Sequence, residues 1–202
     1  MTTTILLARH GQTDSNVNGY YMGWSNEDLN QEGYAQAQKL AAHLADTPID
    51  AIYSSPLKRA YNTALIIAEP HRLKIEVAQD LTEMKFGDWE SLHIDDIARG
   101  WPELWKEWRS DPTNVAMPNG ESFKQAVERV TRAFEKIAVA NVDKTVLIAT
   151  HEIGIKLVAI YALGAPLNVY RRFDVFNASL SIVHVKDGKA RLITLNDTSH
   201  LR

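Results

Sequence analysis

The first apolar run of the chain ends in Leu7-Ala8-Arg9-His10-Gly11-Gln12-Thr13, and no other stretch constrains the fold as much. Thr4 to Leu7 is β-branched and apolar and reads as a short buried strand that stops where Arg-His-Gly begins. Such a strand carries an arginine and a histidine to its carboxyl edge, where open α/β sheets build their ligand sites. Gly11 is expected to let the backbone turn tightly and approach a ligand. Imidazole is a nucleophile at neutral pH, and a guanidinium grips phosphate with two parallel hydrogen bonds. The tripeptide suggests a histidine that attacks a phosphoryl group, although a buried structural Arg-His pair fits the same three residues.

Strand and helix patterns alternate along the rest of the chain, which favours an α/β fold with a mostly parallel sheet covered on both faces. The 202 residues, 45% hydrophobic and 23% charged, suit one globular domain over residues 1–202. A net charge of -3 argues against a nucleic-acid partner, so any phosphate-binding charge must be concentrated in a pocket. The absence of cysteine excludes disulfides, thiolate metal sites and a cysteine nucleophile. No secretory leader is legible at the N-terminus, and the longest apolar run, Leu157 to Leu167, is too short to span a bilayer. A cytoplasmic protein without a membrane partner is expected; no oligomeric interface is legible.

Local signals place the elements. Leu29 and Tyr34 flank Asn30 as a hydrophobic staple around an N-cap, and Tyr34, Ala37, Ala41 and Leu44 follow at helical spacing. Ala51 to Ser54 reads as the second strand; Ser55-Pro56 supplies an N-cap and first-turn proline for a helix that Pro70 ends. Lys74 to Val77 is a short third strand, Ser122 to Ala140 a long helix, and Thr145 to Ala149 a strongly buried strand. A helix from Ile153 to Leu163 ends at Gly164, and Leu180 to Val185 pairs with Ala190 to Leu195 through Asp187-Gly188. Residues 87–120 are tryptophan-rich, with Trp101, Trp105 and Trp108 at i, i+4, i+7. Those three either pack an ordinary helix or roof a substrate pocket as a lid.

Three further clusters carry chemistry. Ser54-Ser55-Pro56-Leu57-Lys58-Arg59-Ala60-Tyr61-Asn62-Thr63-Ala64 leaves a strand and opens a helix, a geometry that binds anions. Leu81-Thr82-Glu83-Met84-Lys85-Phe86-Gly87-Asp88-Trp89-Glu90 is the next, and Ala149-Thr150-His151-Glu152 puts a second histidine at a strand end. Two histidines and two arginines at strand ends are hard to explain by packing alone. No Gly-x-x-x-x-Gly-Lys loop, Gly-x-Gly-x-x-Gly turn, zinc-helix motif or Asp-x-Asp pair supports a rival chemistry. His43, His71, His93, His184 and His200 are scattered and read as surface or structural.

Together these segments resemble the histidine phosphatase superfamily, the phosphoglycerate mutase-like proteins. Arg-His-Gly-x-Thr matches at Arg9 to Thr13, with its asparagine at Asn16; Ser-Ser-Pro-Leu-x-Arg-Ala-x-x-Thr-Ala matches at Ser54 to Ala64. Leu-x-Glu-x-x-Phe-Gly-x-Trp-Glu matches at Leu81 to Glu90, and Asn119-Gly120-Glu121-Ser122 resembles a family helix start. The resemblance implies a three-layer α/β/α sandwich. It makes His10 the phosphorylated nucleophile, Arg9, Arg59 and His151 the holders of the phosphoryl oxygens, and Glu83 the proton donor to the leaving alkoxide. Asn16 and Glu152 join Arg9, Arg59 and His151 as substrate-binding candidates. No metal or other cofactor is implied, since the cations of the chain can carry the phosphoryl charge.

The ending Asp197-Thr198-Ser199-His200-Leu201 is similar to that of the short branch of broad-specificity and α-ribazole phosphate phosphatases. Hydrolysis of small phosphomonoesters is therefore expected, with phosphoglycerate mutase activity or a weakly active phosphate-binding regulator as alternatives. Glu152 replaces a usual glycine, Met22 a frequent glutamine, Gln12 a frequent glutamate and Ser91 a common glycine. Glu152 either faces the phosphate and repels it or projects away along the helix start, where a first-turn carboxylate is favourable. The tryptophans imply a preference for apolar leaving groups over highly charged sugar bisphosphates.

Overall fold

Alternate residues of the first strand enter two different cores, and this fixes the layers. The structure, a computed structural model, describes residues Met1–Arg202. In β1 (Thr3–Arg9), Ile5 and Leu7 join Phe123, Phe134, Ile155 and Val158 on one side; Leu6 and Ala8 join Leu40, Leu44, Ala64 and Ile67 on the other. The helices are α1 (Asp14–Asn18), α2 (Gln31–Leu44), α3 (Lys58–His71), α4 (Ile94–Gly100), α5 (Pro102–Ser110), α6 (Phe123–Ala140) and α7 (Glu152–Leu163). The other strands are β2 (Ala51–Ser54), β3 (Ile75–Val77), β4 (Thr145–Thr150), β5 (Leu180–Lys186) and β6 (Lys189–Asp197). Helices α2 and α3 cover one face, α6 and α7 the other. This is the expected three-layer α/β/α arrangement.

The six strands run in the order β3-β2-β4-β1-β5-β6. β3, β2, β4 and β1 are parallel neighbours, and β5 is antiparallel to both β1 and β6. Asp187 and Gly188 close the last hairpin with φ of 50° and 72°, as a primed turn requires.

Several local expectations shift. β1 extends to Arg9, which pairs with Thr150, so the arginine belongs to the strand and His10 is the first residue beyond it. Leu57, not Ser55, is the N-cap of α3, and Pro70 lies inside the last turn; the helix ends at Arg72, left-handed at φ 54°. Tyr34 points outward, donating to Asp28 and accepting from Asn62, so the buried stripe of α2 is Ala37, Leu40, Ala41 and Leu44. A side chain at Gly11 would collide with the carbonyl of Gly33, so this glycine serves close packing of the β1 end on α2.

The tryptophans are packed rather than arrayed as a roof. Trp101 breaks the helix between α4 and α5 at ψ 60°, because the residue before Pro102 avoids the helical region. Trp89 is 0% and Trp108 2% exposed. Trp108 contacts the rings of Phe86, Trp89, Phe123 and Tyr170 at centroid distances of 5.6 to 6.4 Å. Of the three spaced tryptophans, Trp108 is buried and also lines the cleft that holds Arg9 and His10, whereas Trp101 and Trp105 do not line it.

Candidate active site

Three neighbouring parallel strands end at the same edge of the sheet. β1 delivers Arg9 and His10, β4 delivers His151, and β2 delivers Ser55. The rings of His10 and His151 meet edge-on with centroids 5.2 Å apart. His10 is 2% exposed, more deeply set than a strand-end loop would suggest. Its Nδ1 lies 2.7 Å from the Gly11 carbonyl. A carbonyl only accepts, so Nδ1 carries the proton and the neutral ring keeps a lone pair on Nε2. Burial, then Arg59 and Arg9, push the His10 pKa well below the ordinary histidine value, which keeps the ring neutral.

His151 has the complementary arrangement. Ser55 Oγ accepts from the Leu57 N–H and lies 2.8 Å from His151 Nε2. Ser55 Oγ is able to donate to Nε2 or to accept from it, and the other ring nitrogen, Nδ1, is a buried atom with no protein partner. Burial and Arg59 also depress the His151 pKa. Arg59, 0% exposed, donates to the Gly23 and Ser25 carbonyls at 2.7 Å each, and its Nε is unpartnered. Burial lowers its pKa to about 10, which leaves it charged at neutral pH. Arg9 is anchored by the Val175 carbonyl, with Nη1 2.5 Å away. Asn16 caps α1 reciprocally with Thr13 and accepts from Asn177, so its amide NH2 is the group left to donate into the cleft.

Glu83 sits on a loop held by a residue the motifs did not single out. Arg129 donates to the Asp80, Thr82 and Glu83 carbonyls and forms a two-pronged pair with Glu121 at 2.8 and 2.7 Å. Trp24 Nε1 donates to the Glu83 carbonyl at 2.8 Å. Burial raises the Glu83 carboxyl pKa, outweighing the Met84 N–H that favours the anion.

Arg9, His10, Asn16, Arg59, Glu83 and Glu152 all line one cleft of about 250 Å³. His151 lies behind it, fully buried. Glu152 turns into the cleft rather than away along the helix: its Oε2 is 3.2 Å from Arg9 and its Oε1 3.1 Å from the buried Lys156. Desolvation opposes the anion, but Arg9 and Lys156 prevail and hold its pKa below the usual carboxylate value. Met22 takes a hydrogen bond from Thr13 Oγ1 on its sulfur at 3.3 Å and lines the same cleft. Tyr21, Arg109, Tyr170 and Arg171 also line it. Sequence reasoning missed these four, because they come from segments with no motif and only tertiary packing brings them to the cleft.

The family model of the histidine phosphatase superfamily (branch 1) matches residues 5–198. The chain belongs to that superfamily. Among its relatives, phosphoserine phosphatase 1 of Hydrogenobacter thermophilus is 32% identical over 98% of this chain and 93% of its own length. The adenosylcobalamin/alpha-ribazole phosphatase of Salmonella typhimurium is 32% identical over 94% of both chains. The solved structure of Bacillus stearothermophilus YhfR superposes with a TM-score of 0.95 at 29% identity, covering 99% of this chain and 100% of the other. Superfamily members with phosphatase names favour phosphomonoester hydrolysis over the mutase and regulatory alternatives.

Proposed function

We propose that this protein hydrolyses small-molecule phosphomonoesters through a phosphohistidine on His10. Residues 1–202 are read as one catalytic domain, in which Trp108 and Arg109 of segment 87–120 form part of the cleft wall and suit a substrate-specificity role. Relatives named for phosphoserine and α-ribazole esters support a small phosphomonoester as the substrate class. Phosphate esters of this kind and the cysteine-free chain suit a cytoplasmic enzyme. No helix is long and apolar enough to cross a membrane.

The observation that carries the reading is the pairing of the two rings. His10 keeps its Nε2 lone pair because Gly11 fixes the proton on Nδ1, while the buried Nδ1 of the neighbouring His151 has no protein partner and is free for a phosphoryl oxygen. The first is arranged to attack phosphorus and the second to donate to a phosphoryl oxygen. Arg9 and Arg59 supply the fixed positive charge on the other oxygens. As the Nε2–P bond forms, the ester P–O bond breaks and Glu83 passes its proton to the leaving oxygen. Water then attacks the phosphohistidine, loses a proton to Glu83, and the N–P electron pair returns to His10 as phosphate leaves. Trapping a labelled phosphoryl adduct on His10 by rapid quench tests the reading.

Glu83→Gln separates the acid from the nucleophile. It is expected to lower turnover of alkyl esters by about a hundredfold or more, and of activated aryl esters by less than about tenfold. Equal losses for the two ester classes would remove Glu83 from the role. For the wild type, kcat/KM on an alkyl ester should fall as pH rises through the raised Glu83 pKa, because the protonated acid is lost. It should also fall on the acid side, below the ordinary histidine value, as His10 takes up a proton. The Gln variant should lose the alkaline limb alone.

Turnover is expected to persist in excess chelator, because Arg9, Arg59 and His151 already meet the phosphoryl charge. Loss under chelation, restored by added divalent metal, would contradict this.

A further inference from the structure

Lys156 is 2% exposed, and α7 packs it against Tyr170 and Phe173, whose ring centres lie 4.8 and 5.8 Å from its Nζ. A lysine is almost never buried without an anion. Its anion is Glu152, one turn earlier on the same helix, with Oε1 3.1 Å from Nζ. Asp174, 3.9 Å from the same Nζ, has a side chain that is 75% exposed and is screened by water. Lys156 does not line the cleft and so does not reach a substrate there. Any effect it has on the reaction passes through Glu152, which does line it.

Glu152 in turn meets Arg9 at one end of its guanidinium. Nη1 of Arg9 donates to the Val175 carbonyl at 2.5 Å and lies 3.2 Å from Glu152 Oε2. The guanidinium is planar, and Nε with Nη2 forms a separate edge that is able to grip a phosphoryl group with two parallel hydrogen bonds. Nε on that edge is buried and has no protein partner. A buried donor is costly to leave unpaired, so this edge is the one kept for a ligand. The glycine that usually stands at position 152 would leave Nη1 held by the Val175 carbonyl alone. A carboxylate there holds Nη1 from a second side, and Lys156 offsets the negative charge it brings to an anion site.

We propose that Glu152 is a positioning residue for Arg9: anchored by Lys156, it joins the Val175 carbonyl in holding Nη1, so that the Nε–Nη2 edge faces the phosphoryl group. The proposal rests on the phosphatase reading and adds Glu152 and Lys156 to the machinery around Arg9. Glu152 then serves the substrate through Arg9 rather than by touching it.

The sign of the Glu152→Gln effect separates positioning from simple repulsion. A carboxylate that only repelled the phosphoryl group would, once neutralised, give tighter vanadate binding and a lower KM. Positioning gives the opposite result. On p-nitrophenyl phosphate, kcat should fall about tenfold with KM changed by less than about threefold. Vanadate, which mimics the five-coordinate transition state, should bind about tenfold more weakly. Lys156→Met should reproduce both losses, and Lys156→Arg, which keeps the charge, should reverse most of them. Because Lys156 acts through Glu152, adding Lys156→Met to Glu152→Gln should lower kcat by less than about twofold further. That double variant leaves no buried charge unpaired, so it tests the proposal even if a single variant fails to fold. Tighter vanadate binding by Glu152→Gln, wild-type kcat in the double variant, or losses that multiply in it overturns the assignment and leaves the phosphatase reading intact. Absence of turnover by the wild type overturns the phosphatase reading, and the vanadate series, which needs no turnover, still decides the role of Glu152.

Discussion

Replacing His10 with alanine is expected to lower turnover of every ester by at least roughly a thousandfold, the scale seen when a covalent nucleophile is removed. The loss is chemical rather than structural. The ring is buried, but its one protein hydrogen bond is to the adjacent Gly11 carbonyl, and losing such a bond costs about 1 kcal/mol. The variant should therefore melt cooperatively within a few degrees of the wild type. Phosphate or vanadate should still bind, more weakly, through Arg9, Arg59 and His151. Rapid quench of the wild type with a labelled ester should trap an adduct that is labile in acid and stable in base. The same adduct on the His10→Ala protein would transfer the nucleophile assignment to His151.

The largest stability effect is expected at a residue remote from phosphorus. Trp89 is fully buried, with the rings of Tyr21, Trp101, Trp105 and Trp108 around it at 5.8 to 6.4 Å. Trp89→Ala removes the centre of that cluster and leaves a cavity its rigid neighbours fill poorly, at a cost of about 3–5 kcal/mol. For a chain of this size the melting temperature should drop by roughly 6–20 °C in calorimetry. Because Tyr21 and Trp108 line the cleft, a secondary loss of substrate affinity should accompany the drop. A melting temperature within about a degree of wild type would mean that this aromatic core is not the keystone its burial implies.

What could be read without coordinates was what depends on chain-local chemistry. The strand-then-Arg-His junction, the second histidine after a buried strand and the Ser-Ser-Pro segment each announce a strand end, and strand ends of a parallel sheet meet. The direction of Glu152 was not legible: a carboxylate at a helix start is favoured whether it faces solvent or cleft, and only Arg9 and Lys156 decide between them. Trp101 misled because i, i+4, i+7 spacing assumes an unbroken helix, whereas Pro102 denies Trp101 the helical region. Arg109 and Arg171 reach the same cleft from separate parts of the chain, so no local pattern marks them as a pair. Arg129 likewise reads as one more charge on an amphipathic helix until its carbonyl partners are seen.

The position of β4 between β1 and β2 has a consequence for synthesis. The two strands that bear Arg9, His10 and Ser55 emerge first from the ribosome, yet they share no ladder and can be joined only when Thr145–Thr150 slots between them. Until then the inner edges of both strands lack hydrogen-bond partners, and His151 is not yet in place beside His10. A nascent or truncated chain ending before β4 thus holds His10 without His151 beside it. On the proposed mechanism, an incomplete polypeptide is therefore expected neither to hydrolyse phosphate esters nor to form a phosphohistidine until the sheet closes.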